Sequence, residues 1–460
     1  MSFNPDIQYR CTIIRGKSIS RMDDYLPVYA ETLNEICPIP SKDFDETFDK
    51  NLSRFIKGDS KTIKNHRTEN ADKLLGMYFE KDGIIYISDR TKKFLDDNDQ
   101  PAFFKSVCFK FQQPNGSQKI QTTTREKIEN GINFKPYHFL LALLKTAAIR
   151  KIILTKNEVA YYVLNALQVL QGKVSIDEVL KAIEADRVKG IENKVDTSKN
   201  YAWGFQHINE QFDYLELANL IRKDGKSIWL NTRELSAIDF FIEDLKRPLA
   251  IDFSKFDLDE KGVSKEIELY WQTYFGGLTA SEEEKFTTTI DSLEATLPSD
   301  ELPKTLGISM IEMGNEGENF VLQVERDIVK SFNPRLVNKV NHHGKTRGLG
   351  YDITSIEASR NKKNPEYLRY IEVKATKRVH PPDFTDTIDT INLTRNEWVA
   401  AEQQSNHFYI YRIYFTTKGT FISIIKDPVK KNNDELLYAT PTIYRLEFGD
   451  KAVDEKLKFT

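Results

Sequence analysis

The chain has 460 residues, 40% of them hydrophobic and 29% charged, with a net charge of −3; this is enough for about two to four domains with their own cores and excludes a uniformly basic nucleic-acid binder. No window approaches the roughly 18 consecutive apolar residues of a membrane span, and Cys11, Cys37 and Cys108 lack the spacing of a disulfide framework or a zinc site. The first residues show neither a basic segment followed by an apolar run nor an Arg/Ser-rich presequence, so a reducing cytoplasm is expected, with no membrane partner.

Residues 24–56 read as helical through Leu26, Val28, Leu33 and Ile36, interrupted by the stop Cys37-Pro38-Ile39-Pro40. Asp72 to Met77 continues a helix, and Met77 to Ile87 predicts two short strands joined at Asp82-Gly83. The pattern returns where Leu215 to Ile221 leads into Lys223-Asp224-Gly225 and Ser227 to Leu230. Helices followed by a two-stranded hairpin are the sequence pattern of a winged helix-turn-helix. Residues 20–245 are read as two such units, beside the plainer alternative that the hairpins only close helical subdomains. Tyr137 to Lys145 and Asn157 to Gln171 are apolar helical stretches expected in the core. The polar, proline-punctuated stretch 277–306 predicts a linker or connecting helix. The division expected is 1–150 and 151–276 for two winged-helix-like regions, 277–306 for the connection and 307–460 for a C-terminal domain. No repeat at the roughly 20 to 50 residue period of solenoids is visible, and no Gly-x-x-x-x-Gly-Lys-Ser/Thr loop occurs, so ATP hydrolysis by a P-loop is not expected.

Just before the first hairpin, Lys57, Lys61, Lys64, Asn65, His66 and Arg67 fall where a recognition helix would lie. Lysine and arginine reach phosphates or guanine edges and asparagine pairs with adenine, although an ordinary solvated helix face would read the same. Gln112, Gln113, Asn115, Gln118, Lys119, Gln121 and Arg125 make a second polar stretch, expected as a base-reading loop or a mobile surface loop.

From Met310 to Phe332 the chain predicts one helix, with Val321, Val324 and Ile328 in a stripe and Glu318 and Glu325 near it. A loop rich in glycine, His342 to Gly350, then approaches Asp352. Beyond it, Tyr370-Ile371-Glu372-Val373-Lys374 alternates so that Glu372 and Lys374 emerge on one face of a strand. Thr394 with Glu397 caps a further helix, and His407 to Phe415 reads as a buried strand, giving the order α-β-β-β-α-β. Phosphodiester hydrolysis uses a hard divalent cation to bind a phosphate oxygen, acidify the attacking water and stabilise the leaving oxygen. Asp352, Glu372 and the Val373 carbonyl are oxygen donors of the kind Mg²⁺ accepts alongside its waters, with Mn²⁺ as a substitute. Lys374 could orient the nucleophilic water, and Glu318 could serve as a further ligand or accept a hydrogen bond from metal-bound water. Lys345 and Arg347 before these acids, and Lys377 and Arg378 after Lys374, would offset the repulsion of a polyanion. The pair His342-His343 lacks the companions of a zinc site.

Gly314-Asn315-Glu316-Gly317-Glu318-Asn319-Phe320-Val321, Leu349-Gly350-Tyr351-Asp352-Ile353, Ile371-Glu372-Val373-Lys374-Ala375-Thr376 and Leu393-Thr394-Arg395-Asn396-Glu397-Trp398 together resemble the NO VEIN C-terminal-type branch of the PD-(D/E)xK nuclease superfamily, over roughly residues 307–425. The resemblance implies that Asp352, Glu372 and Lys374 are the metal-binding and catalytic set, with Glu318 as the helical acid. Tyr351 stands where the superfamily name has proline. The first 300 residues resemble, less specifically, the target-recognition halves of bacterial restriction endonucleases. The expectation is therefore an α+β multidomain protein, mostly helical with winged-helix-like units at the start and a PD-(D/E)xK core at the end, acting as a Mg²⁺-dependent restriction or phage-defence endonuclease on double-stranded DNA. With one catalytic set per chain, cutting both strands needs two copies or two visits, and a homodimer on DNA is the expectation. The rival readings are a nuclease subunit active only with defence-system partner subunits, and a non-catalytic DNA-binding protein that keeps a nuclease-like fold.

Overall fold

The computed structural model describes residues 3–14, 21–196, 204–293, 313–343, 349–384 and 388–439. Lys345, Arg347 and the later part of the expected 277–306 connection lie outside the described residues. Among the described residues no helix is long and apolar enough to cross a membrane.

The proline-rich stop after the first helix acts as the sequence implies. Met22–Ile36 ends as the Cys37 amide closes on the Leu33 carbonyl at 2.9 Å, and a second helix runs over Ser41–Leu52. Between them, however, Ile39–Pro40 forms a two-residue strand, β1, that joins β2 (Tyr78–Lys81) and β3 (Ile84–Ile87) in the order β1-β3-β2. Proline is tolerated there because β1 is an edge strand and its missing donor removes no inner ladder bond. Asp82 (φ 53°) and Gly83 (φ 75°) turn β2 into β3, the left-handed pair that matches strand twist in a two-residue hairpin.

The later hairpin repeats this plan. β4 (Leu154–Thr155), β5 (Ile221–Asp224) and β6 (Ser227–Leu230) form a sheet in the order β4-β6-β5. Asp224 pairs with Ser227, so Gly225 and Lys226 make the turn. The second hairpin thus turns one residue later within the shared Lys-Asp-Gly than the first. In both cases a helix, a two-residue strand, further helices and a hairpin follow one another.

The helix Pro136–Ile149 buries Tyr137 through Leu144 without a polar stripe, as befits a helix enclosed on all sides. Beside it Phe109 stacks on Phe240 with ring centroids 4.9 Å apart and meets Phe241 edge-on at 5.1 Å. Asn157 to Gln171 is not one helix: a capping box of Thr155 and Glu158 starts Lys156–Val159, a π-helical turn follows over Ala160–Leu164, and Leu167–Leu170 is separate.

The polar stretch Gln112 to Gln118 turns inward, contrary to the expectation of a base-reading or surface loop. Gln112, Gln113, Asn115 and Gln118 are buried. The Gln112 amide donates to the Ile251 carbonyl at 2.7 Å and accepts from the Ile251 amide at 3.2 Å, and Gln118 donates to the Thr12 carbonyl at 3.0 Å. Lys127, itself buried, donates to the Thr12 carbonyl at 2.7 Å and to Gln113 at 2.6 Å. Side chains of this stretch satisfy main-chain groups that burial would otherwise leave unpaired.

The last third holds the helix Met313–Phe332, β7 (Asn341–His342), β8 (Ile353–Ile356), β9 (Leu368–Lys377), the helix Arg395–Gln404, β10 (Phe408–Thr416) and β11 (Gly419–Lys426). The five strands are ordered β11-β10-β9-β8-β7. The expected α-β-β-β-α-β order is present, and β11 is an addition to it. Every residue of β10 is buried, the signature of a strand covered on both faces. The chain forms two compact units, each discontinuous in sequence: Met1–Val321 with Val373–Asn392 and Tyr411–Ser423, and Leu322–Glu372 with Leu393–Ile410 and Ile424–Thr460. One boundary falls inside β9, directly after Glu372.

Candidate functional site

The approach to Asp352 depends on Gly350. Its φ is +75°, and a Cβ there would lie 2.3 Å from the Asn396 carbonyl oxygen and 2.8 Å from the Ala400 Cβ. Only glycine lets the loop lie this close to the helix Arg395–Gln404. That helix is started by Thr394, whose hydroxyl accepts from the Glu397 amide at 3.3 Å while the Glu397 carboxylate accepts from the Thr394 amide at 2.9 Å. Two residues on, the Asp352 amide donates to the Ile371 carbonyl at 2.9 Å, and its own carbonyl accepts from the His343 amide at 2.6 Å. The antiparallel β8–β9 ladder ends at Ile353↔Ile371, so Asp352 lies just beyond it, tied to β9 at the residue before Glu372. Asp352 is half-buried and Glu372 is buried.

Along β9, Glu372 and Lys374 alternate with Val373 and Ala375. The Val373 and Ala375 side is approached by the helix Met313–Phe332 at Gly317, where an added Cβ would stand 2.7 Å from the Ala375 Cβ and 3.5 Å from Val373 Cγ1. Glu318, half-buried, is the next residue of that helix. One residue before Gly317, Glu316 lies 3.3 Å from the buried Lys377 ammonium; burial pushes the Glu316 carboxyl up, and Lys377 draws it only part of the way back.

Asp352 and Glu372 give two carboxylates at neighbouring positions of adjacent strands, one of them shielded from water. Hard oxygen donors in this number suit Mg²⁺, which keeps several waters and takes few protein ligands. Among the described residues no group of three or more His, Cys, Asp or Glu side chains stands at metal-ligand spacing, so a cation here would rest on two carboxylates with main-chain and water oxygens. His343 instead shares a 2.9 Å hydrogen bond with the Thr354 hydroxyl.

The residues expected to contact DNA divide into two groups. Lys57, Lys61, Lys64 and Lys119 are exposed, and Asn65 is half-buried. Lys61, Lys64 and Asn65 belong to the helix Ser60–Asn65, which starts where the Asp59 carboxylate accepts from the Thr62 amide at 2.7 Å. His66 and Arg67 point inward: His66 is buried against the Tyr25 and Tyr29 rings, and Arg67 is tied to Asp45 at 2.6 Å and Asp49 at 2.8 Å. Arg125 pairs with Asp259 at 2.8 Å. Lys377 donates to the Thr288 carbonyl at 2.7 Å, and Arg378 holds Asp24 at 2.5 Å. Both are buried, so a phosphate would have to compete with internal partners for them.

Next to Arg378, His380 binds Asp23 twice, through its amide and its Nδ1, both at 2.8 Å. Burial works against the His380 imidazolium, yet Asp23 and Glu216 raise its pKa overall; burial likewise pushes Asp23 up, and His380 and Arg378 bring it down below the usual range. Sequence reasoning passed over this knot, and also the polar cluster of Glu357, Arg369, Tyr409 and Lys426. Charged residues alternating with apolar ones in a strand, as at Arg369, were the available signal.

With this geometry in view, the comparisons place the chain among restriction-endonuclease-related proteins. The family model described as restriction endonuclease BpuJI, N-terminal, matches residues 3–272, more than half of the chain, and the chain belongs to that family. The model described as protein NO VEIN, C-terminal, matches residues 317–424. Among solved structures, the BpuJ1 endonuclease binding domain in complex with pyrene- and phenanthrene-modified DNA is 42% identical with a TM-score of 0.58, and the match covers 60% of this chain and 100% of that one. Comparison with curated proteins found no match.

Proposed function

We propose that the chain is a sequence-specific DNA endonuclease of restriction or phage-defence type, dependent on Mg²⁺ with Mn²⁺ as a substitute. The observation that supports this reading is the Asp352 amide bonded to the Ile371 carbonyl, directly before Glu372 in β9, in a chain whose larger part belongs to a restriction-endonuclease family. The similar solved domain is a complex with DNA, which supports duplex DNA as the partner of the N-terminal part. The repeated order of helix, short strand, helices and hairpin supports two winged-helix units there, and the exposed Lys57, Lys61, Lys64 and Lys119 are the cations free to face phosphates. The C-terminal part would be a PD-(D/E)xK-type core.

Asp352 and Glu372, with the Val373 carbonyl, would hold the cation. When bound it would supply the Lewis acidity that hydrolysis needs. Lys374, two residues along the same side of β9, orients the attacking water and offsets charge on the phosphate. No step is assigned to Glu318, because its neighbour Gly317 packs on the Val373 and Ala375 side. Paired copies on DNA would bring two such sets to the two strands.

The test is cleavage of supercoiled plasmid by the full chain. Asp352→Ala and Glu372→Ala should each lose at least about 100-fold in rate while duplex binding persists, and chelation should abolish cutting. Cutting in excess chelator, or wild-type rates from both variants, refutes the assignment. A double-strand cleavage rate that rises more steeply than enzyme concentration supports pairing, and a first-order dependence with clean double-strand breaks removes it.

A further inference from the structure

Three successive strands of the C-terminal sheet, β9, β10 and β11, each bring one side chain to a single carboxylate that follows β8. Glu357 directly follows β8, Arg369 lies in β9, Tyr409 in β10, and Lys426 ends β11. Arg369 donates to Glu357 at 3.1 Å, the Tyr409 hydroxyl donates to the other carboxylate oxygen, and the Lys426 ammonium stands 3.9 Å from it. The Arg369 guanidinium lies 3.7 Å from the Tyr409 ring centroid and the Lys426 ammonium 5.2 Å from it. Glu357, Arg369 and Tyr409 are 6%, 3% and 2% exposed. The Glu357 amide also closes the ladder by donating to the Tyr367 carbonyl at 2.8 Å.

This cluster sits at one end of the β8–β9 ladder, and Asp352 and Glu372 lie just beyond the other, with Ile353↔Ile371 through Ile356↔Leu368 between. The separation along the strands is about 15 Å. Strand side chains alternate faces, so a slip of one residue in β8 against β9 would carry Glu372 away from Asp352, and a slip of two would offset them along the strand. The two apolar pairs, Ile353↔Ile371 and Ile356↔Leu368, make no directional contact and do little by themselves to forbid a slip. A buried carboxylate with named partners on three other strands does forbid it, since any slip would leave the charge without its cation.

We infer that Glu357, Arg369, Tyr409 and Lys426 are a register pin that holds Asp352 on β9 beside Glu372, and that they thereby set how tightly the two carboxylates bind a divalent cation. The inference rests on the metal-site reading above. Burial alone would raise the Glu357 carboxyl, and Tyr409, Arg369 and Lys426 more than reverse this, so the charge needed for the pin is kept. These are positioning residues, acting through the ladder.

The experiment titrates the full chain with Mn²⁺ alone, following free Mn²⁺ by electron paramagnetic resonance, beside melting temperature and duplex affinity. Glu357→Gln and Arg369→Met should weaken Mn²⁺ by about 10-fold or more with duplex affinity kept, and Arg369→Lys should stay within about 3-fold of wild type. If a replacement does not fold, Tyr409→Phe, which removes only the hydroxyl, is read in the same way with a smaller expected loss. A lowered melting temperature with wild-type Mn²⁺ affinity overturns the pin and leaves a purely structural cluster. Glu372→Ala separates the two levels. If it weakens Mn²⁺ and the pin variants do not, only the pin falls; if it binds Mn²⁺ like wild type, the metal-site reading falls and takes the pin with it.

Discussion

Replacing Gly350 by alanine isolates how much of the site depends on one close approach. Gly83 has the same φ of +75° as Gly350, but a Cβ at Gly83 meets nothing within 4 Å, whereas at Gly350 it meets the Asn396 carbonyl oxygen at 2.3 Å. Left-handed backbone costs an L-residue about 1–2 kcal/mol, and that is the whole expectation for Gly83→Ala. At Gly350 the methyl must also gain about 1 Å to reach an ordinary contact near 3.5 Å, against the main chain of a capped helix. Such overpacking adds about 1–3 kcal/mol, for a total of about 2–5 kcal/mol. Each variant is read by urea or thermal unfolding against the transition of its own compact unit. Gly350→Ala should destabilise by clearly more than Gly83→Ala and should also weaken Mn²⁺ binding, because the chain it displaces leads directly into Asp352. Equal destabilisation by the two, with Mn²⁺ affinity unchanged at Gly350→Ala, would refute the argument that the helix contact positions the acid.

Other expectations follow from partners already described. Lys61→Ala and Lys64→Ala should each reduce the salt dependence of duplex binding by about one unit of slope at unchanged melting temperature, while Arg67→Ala, tied to Asp45 and Asp49, should lower the melting temperature; salt-titrated fluorescence anisotropy with calorimetry checks both. Arg360 holds Glu325, which is 0% exposed, at 2.6 Å, and Arg360→Ala should cost about 3 kcal/mol by removing the bidentate cation from a buried carboxylate, whereas a loss under about 1 kcal/mol in urea unfolding would contradict this. His380 has its pKa raised above 6.5 in the folded chain, so its contribution is full below that value and is lost as pH rises through the folded pKa; Asp23 has its pKa lowered below 3.8, so its contribution is full above that value and is lost as pH falls through the folded pKa. The melting-temperature deficit of His380→Ala should therefore be larger at pH 6 than at pH 9, and a deficit that grows between those values would show the sign to be wrong.

Local chemistry was legible in the sequence where a few adjacent residues decide the outcome. Asp82-Gly83 specifies a tight turn by itself, Thr394 with Glu397 specifies a helix start, and the alternation from Tyr370 to Lys374 puts Glu372 and Lys374 on one side of a strand. β1 and β4 were not legible, since two residues carry no period and each becomes a strand only through its partner hairpin. Polarity likewise does not say which way a side chain turns. Gln112 and Gln118 look solvent-seeking until Ile251 and Thr12, far away in sequence, present carbonyls to them. Arg67 and Arg378 misled for the same reason, because the acids that hold them lie on other elements. The Glu357 cluster needed four strands to be aligned before its members could be recognised as neighbours.

The division of β9 between the two compact units bears on how this chain can be taken apart or recombined. Leu368 to Glu372 belong to one unit and Val373 to Lys377 to the other, which Tyr411–Ser423 rejoins long after the obvious place to cut has passed. A fragment ending between 294 and 312 would remove the partners of Asp23, Asp24 and Glu31, namely His380, Arg378 and Asn392, and would expose buried acids on its leading helix. Exchanging target specificity with a related protein by grafting its first 300 residues would meet the same obstacle. The graft would have to carry residues 373–392 and 411–423 along with it, so that two short stretches of the sheet travel with the recognition part.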